Sequence, residues 1–263
     1  MRPIPRDMDA IREAAWAAAD AARPATLRHF RQPLEVESKA ADFDPVTRAD
    51  REAEAAIRAV LGELRPADGV RGEEAADRPG TSGLTWIVDP IDGTRGFISG
   101  TPTWGVLIAL ADRDGPICGV IDQPFTGERF WGGPGGATWS RDDREHSIRT
   151  RGTETLSEAT IFTTFPQVGT DAERAGFERV AGRCRLTRFG CDCYAYALLA
   201  AGQIDLVVEA GLQAYDIAAP LAVVEAAGGV VTAWDGGPAH EGGTAVAAAT
   251  PALHAAALER LRG

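Results

Sequence analysis

The run Trp86-Ile-Val-Asp89-Pro90-Ile91-Asp92-Gly93-Thr94 sets two carboxylates three residues apart at the end of a short apolar segment. Pro90 fixes its own φ and Gly93 permits a sharp turn, so the two acids can converge instead of facing opposite ways. Converging like charges repel unless something neutralises them. A hard divalent cation does so through oxygen ligands, and such a turn also offers a backbone carbonyl, here that of Ile91. A bare Asp-Pro-x-Asp reads more readily as a surface turn. The full DPIDGT string behind an apolar strand reads as a cation site. Three further acids are candidates with ordinary explanations of their own. Gly72-Glu73-Glu74 could be a solvated glutamate pair in a loop, Asp216 an N-cap, and Asp50 part of the acidic first turn of a helix.

The elements that must position these acids can be read from periodicity. Residues 7 to 30 form an alanine-rich helix, and Thr47 to Leu64 a second with Ile57, Val60, Leu61 and Leu64 as its apolar stripe. The polar stretch between them, SKAADFDPVTRAD, reads as a loop because Pro45 disfavours helix before it. From residue 84 the runs LTWIV, WGVLIALA, PICGVI and ERFWG are short strands between Gly, Pro and Asp turn signals, a sheet of hairpins and meanders. Beyond residue 150 strands (ATIFTTF, IDLVVE, GVVTAW, TAVAAA) alternate with helices at 171–182, 192–201, 216–227 and 251–262. The fold class is therefore α/β with an α+β N-terminal half. The charged stretch RDDREHSIRTRG places a boundary near residue 150, giving an N-terminal unit 1–150 with most of the candidate ligands and a C-terminal unit 151–263 with Asp216.

Composition narrows the function classes. The 263 residues carry a formal net charge of -11, which argues against nucleic acid, since phosphate backbones bind Lys/Arg surfaces. An anionic protein that handles phosphate must supply positive charge locally, and a bound metal does that. No run of about 18 apolar residues predicts a membrane span, and the first residues lack a signal-peptide pattern. The four cysteines are expected as reduced thiols, consistent with a cytoplasmic protein. Cys191-x-Cys193 lacks the second half of a zinc site.

In order along the chain, DPVTRAD, GEE, WIVDPIDGT and YDIAAPLAVVEAAGG resemble the inositol monophosphatase superfamily over nearly the whole length. The resemblance implies a layered αβαβα sandwich of the sugar-phosphatase type and hydrolysis of a small phosphate monoester. It also implies a homodimer and two Mg²⁺ ions per subunit, with a third, weaker one and Mn²⁺ as a substitute. Carried over by position, the metal ligands are Glu73, Asp89, the Ile91 carbonyl, Asp92 and Asp216. Asp50, Thr94 and Glu73 orient and deprotonate the attacking water, the backbone of Gly93 and Thr94 cradles phosphate, and Lys39 lies near the outer metal.

Segments such as GFISGTPTWGVLIAL and CDCYAYALLAAGQIDLVVEAGLQAYDIAA look more like bacterial histidinol-phosphate phosphatases than inositol phosphatases. Asp192 and Glu209 fall on substrate-contacting positions, and two carboxylates suit a cationic leaving group. Gln213 departs from the histidine of some inositol phosphatases, and Tyr215 from their tryptophan. Arg95-Gly96 departs from the Lys-Ser of the histidinol-phosphate subgroup. Asp192 could instead simply cap its helix. The expected reaction is dephosphorylation of histidinol phosphate, a step of histidine biosynthesis. Inositol 1-phosphate or other sugar phosphates are the alternative, and a non-catalytic phosphate-binding relative is the remote one.

Overall fold

The structure is a computed structural model and describes residues 5, 7–33, 36–38 and 45–262. Helix α1 (Met8–His29) repeats buried Ile11, Ala14, Ala15, Ala18, Ala19 and Ala22 at helical spacing. These small side chains let it lie along α2 (Arg48–Leu64), whose Ala53, Ile57 and Leu61 join the same core. Part of the stretch read as a loop between them pairs instead, β1 (Val36–Ser38) running antiparallel to β2 (Pro45–Thr47).

The first large sheet is built from β3 (Gly69–Gly72), β4 (Thr85–Asp92), β5 (Gly105–Asp112), β6 (Gly115–Gln123), β7 (Glu128–Gly133), β8 (Gly136–Arg141) and β9 (Arg144–Ile148). They pair in chain order, β3 parallel to β4 and the rest an antiparallel meander. Strand β9 occupies sequence that reads as a charged linker. As the sheet's edge it keeps its charges in water, so an apolar periodicity is not needed there. A short helix, α3 (Thr94–Ile98), follows β4.

The second sheet contains β10 (Thr160–Thr163), β11 (Leu186–Phe189), β12 (Leu206–Gln213), β13 (Val230–Thr232) and β14 (Gly242–Ala248), in the order β11-β10-β12-β14-β13. Its helices are α4 (Asp171–Ala181), α5 (Asp192–Ala200), α6 (Ala214–Ala226) and α7 (Pro251–Arg262). Three cores separate five layers. The α1/α2 pair packs on one face of the first sheet through Ile57, Trp86, Val88 and Ile108. Helices α5 and α6 fill the space between the sheets, where Ile217, Val223 and Val224 meet Leu107, Ile121 and Phe130 on one side and Phe162, Val207 and Ala247 on the other. Helices α4 and α7 cover the far face through Phe177, Val180, Leu253 and Leu261. This is the expected αβαβα sandwich. No helix of the described residues is long and apolar enough to cross a membrane.

Helix α6 is apolar on every side, as a helix buried between two sheets must be. It sits unusually close to the first sheet, because the strands beneath it present glycine. A Cβ at Gly119 would lie 2.7 Å from the Ala219 carbonyl oxygen, and one at Gly132 2.3 Å from the Val223 Cα. Both contacts are with helix backbone, which cannot rotate away. Gly132→Ala should therefore cost about 1–3 kcal/mol or more by overpacking, read as a lowered denaturant midpoint. An unchanged midpoint would show that helix and sheet are not so tightly seated.

Candidate active site

Strand β4 runs through Asp92, and its pairing with β5 slips between Asp89 and Asp92. In a regular strand residues three apart face opposite sides. The bulge adds the residue that turns both carboxylates to one side. The Ile91 amide donates to Asp89 Oδ1 at 3.0 Å and holds the bulge in shape. Gly93 then takes a left-handed φ of 82°, a conformation that disfavours a side chain, and a Cβ there would come within 2.9 Å of the Asp192 Cγ.

Asp216 arrives from the second sheet. Strand β12 ends at Gln213 and α6 begins directly after it, two residues earlier than periodicity indicated, which makes Asp216 the third helical residue and not the N-cap. The Gln213 amide donates to Asp216 Oδ2 at 2.7 Å. Asp50 holds the same place in α2, accepting the Thr47 amide at 2.9 Å and the Thr47 hydroxyl at 2.6 Å. Both acids complete capping boxes at positively polarised helix ends.

The result is a group of three oxygens, one each from Asp89, Asp92 and Asp216, all within 4.8 Å of one another. Glu73, the Ile91 backbone, Gly93, Thr94, Arg95, Asp192, Glu209 and Gln213 line the same cavity, which encloses about 410 Å³. Among the described lining residues six carboxylates face one cation, Arg95. Burial, reinforced by the charges of Glu73, Asp92, Asp216 and Asp50, pushes the Asp89 carboxyl well above the usual range. Burial and the charges of Asp192 and Asp216 do the same for Asp92, against a 2.6 Å hydrogen bond from the Cys193 amide. Burial also raises buried Asp50, its bonds from Thr47 opposing. An all-oxygen, strongly anionic donor set of this kind fits hard divalent cations. The cysteines of the chain are unpaired thiols.

The remaining candidates are placed as follows. The Thr94 hydroxyl donates to the Ile91 carbonyl at 3.1 Å, leaving that oxygen a second lone pair, and Thr94 and Asp50 are not hydrogen-bonded to each other. Asp192 opens α5 with a φ of 45°. Its carboxylate takes no hydrogen bond from the helix among the described residues, so capping does not explain it. Burial raises it to about 6. Glu209 is buried, accepts the Thr164 amide at 2.7 Å and the Thr164 and Thr163 hydroxyls at 2.9 and 3.2 Å, and is raised by burial to about 7. Lys39 lies outside the described residues. Sequence reasoning missed Tyr196, which lines the cavity with a buried hydroxyl that has no hydrogen-bond partner. It missed Cys193 as well, whose contribution is a backbone amide and leaves no side-chain signal.

Residues 7–263 match the Inositol monophosphatase family. The chain is 39% identical to the chloroplastic bifunctional phosphatase IMPL2 of Arabidopsis thaliana over 232 residues, 88% of this chain and 66% of that protein. It is 37% identical to the histidinol-phosphatase of Mycobacterium tuberculosis over 254 residues, 94% of this chain and 96% of that one. Among solved structures, an inositol monophosphatase from Zymomonas mobilis superposes with a TM-score of 0.86 at 38% identity, over 98% of this chain and 100% of that one. A metal-ready carboxylate cluster at the mouth of a five-layered sandwich and a family match across the chain lead to one conclusion: the protein belongs to the inositol monophosphatase family of metal-dependent phosphatases.

Proposed function

We propose that the protein hydrolyses histidinol phosphate to histidinol and phosphate, using Mg²⁺. The observation that carries this reading is the juxtaposition, in one cavity, of the Asp89–Asp92–Asp216 cluster and two further carboxylates, Asp192 and Glu209. The cluster accounts for phosphate chemistry. The two further acids account for a cationic leaving group, to which charge-assisted hydrogen bonds are about twice the strength of neutral ones. The relatives favour both leaving groups, a histidinol-phosphatase and an inositol monophosphatase standing at nearly equal identity. The acids of the cavity support the cationic leaving group in this reading.

Glu73, Asp89, Asp92, Asp216 and the Ile91 carbonyl would hold two ions, with a third, weaker one near Glu73. Bound divalent ions polarise phosphoryl oxygens and lower the pKa of water. Thr94 keeps oxygen lone pairs that accept a hydrogen bond from the attacking water. Asp50, whose carboxyl is raised above its ordinary value by burial, is the acid assigned to take up the proton of that water. Backbone amides of Gly93 and Thr94 orient the phosphoryl group, and Gln213 borders the leaving group. A cytoplasmic homodimer is the setting we carry with this reading.

Three outcomes test it. Hydrolysis should vanish in excess EDTA and return with added Mg²⁺ or Mn²⁺; full turnover in chelator would sink the metal-ligand assignment.

Asp192→Asn should lower kcat/KM for histidinol phosphate more than for neutral glycerol 2-phosphate. A hydrogen bond to a charged group is worth about 1.5–3 kcal/mol, so the difference should be roughly 10- to 150-fold. Equal losses on both esters would remove the cation from the argument, and a higher kcat/KM for inositol 1-phosphate than for histidinol phosphate would establish the alternative leaving group.

The metal-free protein should also melt higher at pH 5 than at pH 8. Asp89, Asp92, Asp192 and Glu209 all have folded-state pKa values above their ordinary ones, the last two at about 6 and about 7. Between the ordinary and the raised values the folded state binds more protons than the unfolded, so stability falls as pH rises through that window. Saturating Mg²⁺ should abolish or reverse the trend. A metal-free melting temperature that climbs toward pH 8 would contradict the electrostatics of the cluster.

A further inference from the structure

Helix α2 carries Asp50, Glu54 and Arg58 four residues apart, hence on one face. Glu54 is 1% exposed and does not line the cavity. Its Oε2 accepts the amide of Glu74 at 2.7 Å, and its Oε1 accepts the amide of Ala75 at 3.1 Å and the Nε of Arg58 at 2.6 Å. Arg58 Nη2 in turn donates to the Ala75 carbonyl at 3.0 Å. The loop also enters directly against the carboxylate, since a Cβ at Gly72 would lie 2.4 Å from Glu54 Oε1. Residues 72–75 are thus gripped immediately before and after Glu73, whose side chain faces the cavity and whose charge acts on Asp89.

We propose that Glu54 is a positioning residue of the metal site, acting through Glu73 by fixing the backbone on either side of it. The proposal rests on the reading of Glu73 as a metal ligand. A buried carboxylate is strongly unfavourable without hydrogen bonds. The bonds that satisfy Glu54 exist only while the loop lies where it does, so loop and carboxylate hold each other in place. Glu73 sits on a loop that leaves a strand edge, unlike Asp89, Asp92 and Asp216 on strand and helix. Its direction therefore depends on what anchors the loop. Groups that orient a ligand in this way are typically worth 10–100-fold in metal affinity or activity.

The test is Mn²⁺ binding to the chelator-stripped full chain, followed by the electron paramagnetic resonance of free Mn²⁺, alongside the Mg²⁺ concentration for half-maximal hydrolysis. Glu54→Gln keeps the shape but replaces one acceptor oxygen with an NH₂ donor and removes the ion pair with Arg58. It should weaken Mn²⁺ binding and raise the Mg²⁺ requirement by about 10–100-fold, with kcat at saturating metal close to wild type. Glu73→Gln should weaken binding at least as much. The double variant should be no weaker than Glu73→Gln alone, because groups that act through one another are not additive. Leu253→Ala, in the far core under α7, should lower stability and leave Mn²⁺ affinity unchanged. Should Glu54→Gln fail to fold, Glu54→Asp, which keeps the charge on a shorter arm, should show the same shift to a smaller degree. Unchanged Mn²⁺ affinity in the Glu54 variants beside a loss in Glu73→Gln would overturn the positioning role and leave Glu73 a ligand. Wild-type affinity in Glu73→Gln would overturn the reading beneath both. Losses that simply add in the double variant would show Glu54 acting elsewhere than through Glu73.

Discussion

Asp89, Asp92 and Asp216 bring three oxygens within 4.8 Å of one another in a largely buried cavity, and their repulsion works against the fold that holds them there. None of the three could be held by local sequence alone. Asp89 and Asp92 are fixed because β4, held between β3 and β5 as far as Val88, keeps its pairing with β5 at Asp89 and again at Asp92. Asp216 is fixed because α6 is buried on every side and seated on the Gly119 and Gly132 backbone. The layers hold the carboxyls together, and without a cation the repulsion shows itself in the raised Asp89 and Asp92, which bind protons more readily than free carboxylates. That tension is also the source of affinity for a cation, since bound positive charge relieves repulsion already built into the folded state.

The two halves of the molecule meet the site by the same device. Asp50 in α2 and Asp216 in α6 each occupy the third helical position, each closing a capping box with the residue before the helix. A helix N-terminus stabilises a nearby negative charge, so each acid is partly compensated by its own helix before any ion arrives. The same arrangement makes these residues ambiguous in sequence. An aspartate in the first turn of a helix has a sufficient local explanation, and only its spatial neighbours show that it serves anything else.

How far the site was legible follows from that distinction. DPIDGT behind an apolar strand announced its chemistry, because the proline, the glycine and the paired acids are all local to the turn they build. The layered fold was legible too, through alternation in the C-terminal half and β-rich runs in the N-terminal half. Elements without an apolar signal were not. Strand β9 read as a linker because an edge strand keeps charge in water, and exposed β11 was passed over for a similar reason. Glu54, Cys193 and Tyr196 were invisible because their contributions depend on partners distant in sequence. Cys193 serves Asp92 through a backbone amide, 101 residues away, that any residue except proline would supply.

On the proposed reading, the acids assigned to metal and those assigned to the leaving group share elements without sharing positions. Strand β12 carries Glu209 and leads straight into the helix that carries Asp216, while α5 carries Asp192 and, through the next residue's amide, steadies Asp92. On that reading the chemistry at phosphorus depends on where these elements lie, and the choice of leaving group on side chains that project from them. Changing Asp192 or Glu209 alters the charge offered to a leaving group while the strand and helix ends that aim the cluster stay in place. Glu209 is the less free of the two, because its oxygens already hold the Thr163–Thr164 corner. Asp192, held in a left-handed conformation against Gly93, has no such structural duty. Asparagine there would remove the charge while keeping a side chain that tolerates the left-handed backbone.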